Sequence, residues 1–190
     1  MTKQRRQAPA WQVDRWFNTD VALGLDALRG KVIVLEAFQM LCPGCVAHGL
    51  PQAARVRAAF PPERVAVIGL HTVFEHHQTM APAALEAFLH EYRIGFPVGV
   101  DRADGSSPVP LTMRAYALQG TPTLILIDAQ GCIRYQRFGQ VDDLELGAHV
   151  ATLLAEADAL GAVRSAEDRA VDTTAARCSP DECAANENVD

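Results

Sequence analysis

Two cysteines separated by two residues, Cys42 and Cys45, close a run of apolar and β-branched residues, and this junction constrains the fold more than any other stretch. Residues 31–45 read KVIVLEAFQMLCPGC. Val32, Ile33, Val34 and Leu35 are too few for a helix and show no polar alternation, so they predict a strand covered on both faces, as in a parallel or mixed sheet. Beyond them Cys42 stands where a helix N-cap would, and Pro43 takes the first helical position, where its missing N–H costs nothing. The free N–H groups and positive dipole end of a helix favour a thiolate at such a place, which marks Cys42 as the nucleophile. Cys45, one turn on, is within reach to attack a mixed disulfide formed at Cys42 and release the partner. Zinc sites use the same spacing, but zinc usually takes a second cysteine or histidine pair to complete four ligands. The strand leading into the pair favours redox chemistry over a metal.

These residues resemble the thioredoxin-like superfamily, and within it the redoxin group of thiol-disulfide oxidoreductases similar to TlpA and ResA. The resemblance spans roughly residues 15–155 and rests on three features: the strand running into CPGC, the segment Gly120, Thr121, Pro122, Thr123, and the strand, turn, strand, helix ending. It implies an α/β thioredoxin fold, a central mixed sheet flanked by helices, with an N-terminal extension and a helical insertion. It also implies a cis bond before Pro122 and a substrate-binding surface built from Pro43, Gly44, Thr121 and Pro122. Glu36 sits six residues before Cys42, where thioredoxin carries a buried aspartate thought to move protons for the second cysteine, so Cys42, Cys45 and Glu36 are the expected catalytic set. Partners would be a protein or small-molecule disulfide or thiol and an electron-donating reductase, with no organic cofactor needed and no metal assigned. In one respect the chain departs from the pattern. The helix proline common in the family falls five residues after the second cysteine, whereas Pro51 falls six after Cys45, so a different kink is expected.

Glu36 also stands out without the resemblance. An ionisable group inside a run of Val, Ile and Leu costs several kcal/mol to bury unpaired, so it implies either a functional reason or an edge position that lets the carboxylate reach solvent.

Length and composition add limits. A chain of 190 residues with 49% hydrophobic content suits one domain with extensions, drawn here as an extension over 1–14, a thioredoxin-like domain over 15–160 and an acidic tail over 161–190. A net charge of −6 argues against a nucleic-acid surface, and no apolar run approaches the 18 residues or more of a membrane span. Residues 1–10 are basic but residues 7–14 supply no apolar core of a secretory signal, so the expected compartment is the cytoplasm.

Two other groups compete for attention. His71, His76 and His77 fall within seven positions at the end of a second apolar run, residues 65–70, and three imidazoles could ligate a metal; the plainer reading is a polar loop. Trp11 and Trp16 read as packing residues, His48 as a surface histidine on the CPGC helix, and Cys132 as a small packing residue. In the tail, seven acids face three arginines, and Ser179, Pro180, Asp181 and Glu182 spell a capping box that sets Cys178 and Cys183 to pair. Two readings stand for them: a second dithiol that a flexible segment over 161–177 carries to Cys42 and Cys45, or a disordered tail whose thiols bind metal adventitiously. Two rival functions remain open at this point. One is a peroxidase of the peroxiredoxin type, which would need a threonine at the position Gln39 occupies; the other is a metal-delivery module using Cys42, Cys45 and a histidine or Met40.

Overall fold

In the computed structural model, which describes residues 6–175 and side chains as far as residue 162, the apolar run becomes β3 (Val32–Phe38), the third strand in chain order. The strands before it are β1 (Arg6–Gln7) and β2 (Val13–Phe17). After it come β4 (Val65–His71), β5 (Val98–Asp101), β6 (Thr123–Ile127) and β7 (Cys132–Phe138). They form one mixed sheet in the order β1-β7-β6-β3-β4-β5-β2. β3, β4 and β5 run parallel, while β6 lies antiparallel to β3 and β7 antiparallel to β6. No residue of β3 is more than 1% exposed, Glu36 included, as the apolar residues 32–35 predict for a strand covered on both sides.

Alternation along these strands feeds two cores. Val32, Val34 and Phe38 of β3 join Leu124 and Leu126 of β6 under α1 (Leu50–Ala59), α2 (Pro82–Glu91) and α4 (Asp143–Ala175). Ile33, Leu35 and Ala37 face the other way, toward Met113 of α3 (Leu111–Ala115) and toward Tyr116 and Leu118 just beyond it. α2 is the expected helical insertion between the second and third parallel strands. Glu36 lies on the α1 side, between Val34 and Phe38.

The N-terminal segment is built into the sheet, at both of its edges. β1 pairs with β7 and β2 with β5, and the chain between them is fastened along α3. The Trp11 indole N–H donates to the Tyr116 hydroxyl at 3.0 Å, that hydroxyl donates to the Pro9 carbonyl at 2.8 Å, and the Gln12 N–H donates to Thr112 Oγ1 at 2.8 Å. Trp11 and Trp16, 6.2 Å apart, pack half-buried on the second core. A boundary at residue 14 would therefore cut through β2.

The helix that carries the dithiol opens at Pro43 but is not a plain α-helix. Residues Cys45–Gly49 form a π-turn in which the Leu50 N–H donates to the Cys45 carbonyl, five residues back, before α1 continues. A π-turn holds one residue more than an α-turn. It takes up the extra residue between Cys45 and Pro51, and Pro51 lands near the start of α1, where its missing N–H is tolerated.

α4 is capped by Asp142, whose Oδ1 accepts the N–H groups of Leu144 at 2.8 Å and Glu145 at 3.3 Å. The helix runs from Asp143, which holds Arg55 and Gln52, to Asp158, which holds Arg64 at the start of β4, and then on to Ala175. The segment expected to be flexible from 161 is thus helical as far as Ala175. Cys178 and Cys183 lie outside the described residues.

Candidate active site

β3 delivers the chain to Cys42 at the carboxyl end of the parallel strands, the end where open α/β sheets place their sites. Cys42 and Cys45 are joined as a disulfide with Cα atoms 5.2 Å apart, inside the ordinary range for such a bridge. The Cys45 N–H donates to Cys42 Sγ at 3.2 Å, so Cys42 caps the helix through its sulfur. Cys42 is half-buried and Cys45 is 0% exposed, so a partner arriving from solvent meets the first sulfur and not the second.

The opposite wall is the Gly120–Thr123 loop, whose Thr121–Pro122 peptide is cis. Pro122 packs between two helix glycines. A Cβ on Gly44 would come 3.2 Å from Pro122 Cδ, and one on Gly49 would come 3.1 Å from Pro122 Cβ. The Pro122 carbonyl accepts the Gly139 N–H at 2.8 Å, and the Thr121 carbonyl oxygen lies 3.4 Å from Cys42 Sγ. Around this cleft Leu41 and Phe138 are about half exposed, and Phe138 lies so close over Gly120 that a Cβ there would meet its ring at 2.9 Å. Neither was apparent as a site residue from sequence. Leu41 carries no motif, and Phe138 is 93 residues from Cys45.

Glu36 occupies the floor. Only 1% of it is exposed, its Oε1 has no hydrogen-bond partner, and burial pushes its carboxyl up to about 8. The edge position that would let it reach solvent is excluded, since β3 is the middle strand of seven. Its carboxyl carbon would lie 3.1 Å from a Cβ at Gly49, one turn beyond Cys45. On its far side is a cavity of about 190 Å³ walled by His48, Gln52, Arg55, Pro122 and Asp143 among others.

The three histidines do not converge. His71 is 1% exposed against the Phe38 ring, centroids 5.3 Å apart, and burial lowers it to about 4, so it is neutral at neutral pH. His76 and His77 are exposed. Among the described residues no three His, Cys, Asp or Glu side chains are grouped to hold a metal ion, and Met40 is buried in the core beneath the α1 face. Gln39 is buried too, its Oε1 accepting the Phe74 N–H at 3.3 Å, so the position a peroxidase would fill with threonine serves here to hold a loop. Cys132 is buried with a free thiol, in keeping with a packing role.

Residues 5–136 match the AhpC/TSA family. The chain belongs to that family. Among solved structures, this AhpC/TSA chain is 60% identical to the thioredoxin-like superfamily protein SPOA0173, over 78% of its own length and 96% of that protein's, with a TM-score of 0.77. A thiol-disulfide isomerase from Corynebacterium glutamicum is 50% identical over 77% of this chain and 96% of that one, with a TM-score of 0.74. Protein DipZ of Mycobacterium bovis and of Mycobacterium tuberculosis is 28% identical over 129 residues, 67% of this chain but only 17% of DipZ. The AhpC/TSA chain therefore spans a small part of those curated relatives. With its CXXC pair at the mouth of a thioredoxin fold, it is a thioredoxin-like redoxin and carries the dithiol arrangement of the thiol-disulfide oxidoreductases it resembles.

Proposed function

We propose that the protein exchanges disulfides with protein partners through Cys42 as nucleophile and Cys45 as resolving thiol, with Glu36 as the proton carrier for Cys45. The observation that carries this reading is the asymmetry of the pair: Cys42 caps the helix at the surface, while Cys45 is enclosed beneath it. The Cys42 thiolate attacks one sulfur of a partner disulfide, whose S–S bond breaks as the Cys42–partner mixed disulfide forms and the other partner sulfur leaves as a thiolate. Cys45, its proton passed to the Glu36 carboxylate, then attacks Cys42 Sγ, and the Cys42–Cys45 bond forms as the Cys42–partner bond breaks. The partner leaves reduced. A second partner, an electron-donating reductase, restores the dithiol.

Docking is assigned to the cleft wall. Pro43 and Gly44 form one side, Pro122 offers no N–H, and the Thr121 backbone is placed to pair with an extended segment of the partner. Leu41 and Phe138 supply apolar contact on either side. The cytoplasm, suggested by sequence, belongs to the proposal as its compartment and is checked by cell fractionation.

Selective alkylation tests the assignment. In the reduced full chain at neutral pH, a limiting amount of iodoacetamide followed by peptide mapping should label Cys42 well before Cys45, and Cys42→Ser should abolish turnover with a disulfide substrate. Faster labelling of Cys45 would reverse the roles.

A further inference from the structure

The cavity beyond Glu36 has a job in the cycle just described. Glu36 must be ionised to receive the Cys45 proton and must lose that proton before the next round, yet its carboxyl is sealed from bulk solvent. The void it borders between α1 and the start of α4 has room for several waters and polar walls to hold them. Its other charged groups are already engaged. Asp143 holds Arg55 through two contacts, at 2.9 and 3.0 Å, and Gln52 at 2.7 Å, and Asp142 caps α4. His48, exposed and one turn before Gln52, is the titratable group of this wall with no hydrogen bond or ion pair among the described residues.

We infer that the cavity is the proton exit of the dithiol and that His48, at its mouth, passes the proton between Glu36 and solvent. The inference rests on the proposed function. The charged groups that line the cavity with His48 are Glu36 from β3, Arg55 from α1, and Asp142 and Asp143 at the start of α4. The step is a relay with no net redox change of its own. Cys45 S–H gives its proton to the Glu36 carboxylate, the Cys45 thiolate displaces the partner from Cys42, and the Glu36 carboxyl passes the proton through cavity water to a His48 ring nitrogen. From there it leaves to solvent. Imidazole suits this place because its two ring nitrogens let it take a proton on one side and give one up on the other. His48 is a positioning residue for the proton, touching neither sulfur nor partner.

The test uses the full chain carrying an aromatic thiol as a mixed disulfide on Cys42, prepared by reaction with an aromatic disulfide, and follows release of the coloured thiol at low buffer concentration. His48→Ala and His48→Gln should slow release by about tenfold near pH 7. Added imidazole should restore the rate in His48→Ala in proportion to its concentration, while the dithiol reduction potential and the rate of first attack at Cys42 stay at the wild-type values. Unchanged release in both variants, or a loss that imidazole does not restore, overturns the inference. Failure of the wild-type adduct to release its thiol at all would instead overturn the assignment of Cys45 as resolving thiol.

Discussion

Glu36 carries opposite consequences for chemistry and for stability, both from its burial. In the unfolded chain its carboxyl ionises near 4.5, whereas in the folded chain it is half ionised only at about 8, which leaves a minor carboxylate fraction near pH 7 to act as the base. Between those values the folded state holds one proton more than the unfolded state, so stability drains as pH rises. The contribution is whole below about pH 4.5 and fully lost above about pH 8, a difference on the order of 5 kcal/mol. Glu36→Gln removes that dependence. Its denaturation midpoint should exceed that of the wild type at pH 9 and match it near pH 5, with urea titrations at both pH values as the measurement; equal midpoints at pH 9 would contradict the burial argument. The burial itself was legible in sequence, because the apolar residues before Glu36 announce a covered strand. The cavity beside it was not, since its walls come from β3, the π-turn and the start of α4, segments brought together only by folding.

At the level of elements, the strands agree closely with their apolar runs, and the residues after Cys45 show what pattern alone misses. Apolar spacing through Val46, Leu50, Ala54, Val56 and Phe60 suggests one helix bent at Pro51, but the period of a hydrophobic face does not distinguish an α-turn from a π-turn. The extra residue before Pro51 was visible; how the backbone would absorb it was not. The π-turn leaves Gly49 facing Glu36 and Pro122, and Gly49→Ala is therefore not the usual gain of replacing glycine in a helix, roughly 0.5–1 kcal/mol. Its methyl group would overlap the Glu36 Oε1 atom and meet Pro122 Cβ at 3.1 Å, and Pro122 is held by the Gly139 N–H. A net destabilisation of about 1–3 kcal/mol is expected, read from the denaturant midpoint. A variant more stable than wild type would show that the loop gives way.

Across the whole molecule, the unit recognised from sequence over 15–155 is close to what positions the dithiol, and the errors fall at its ends. A two-residue strand such as β1 has no periodicity to read, so the N-terminal segment looked like an appendage. It bridges both edges of the sheet and covers the second core. At the other end the acidic composition after residue 160 suggested a loose tail, but charge does not forbid a helix, and α4 continues through it to Ala175.

The length of α4 decides which molecule a tail thiol can meet. From Asp158, level with the start of β4, to Ala175 the helix rises about 26 Å, pointing away from Cys42 at the far end of a strand some 23 Å long. Cys183 is eight residues past Ala175, and eight residues reach about 28 Å at full stretch. The described part of α4 leads away from the dithiol of its own chain, so exchange with either tail cysteine is expected to be a bimolecular encounter. In a Cys45→Ser variant under mild oxidation, linkage between Cys42 and Cys178 or Cys183 should appear as covalent dimer on a non-reducing gel, its initial rate rising with the square of protein concentration. A concentration-independent, monomeric cross-link would mean that α4 bends back on itself.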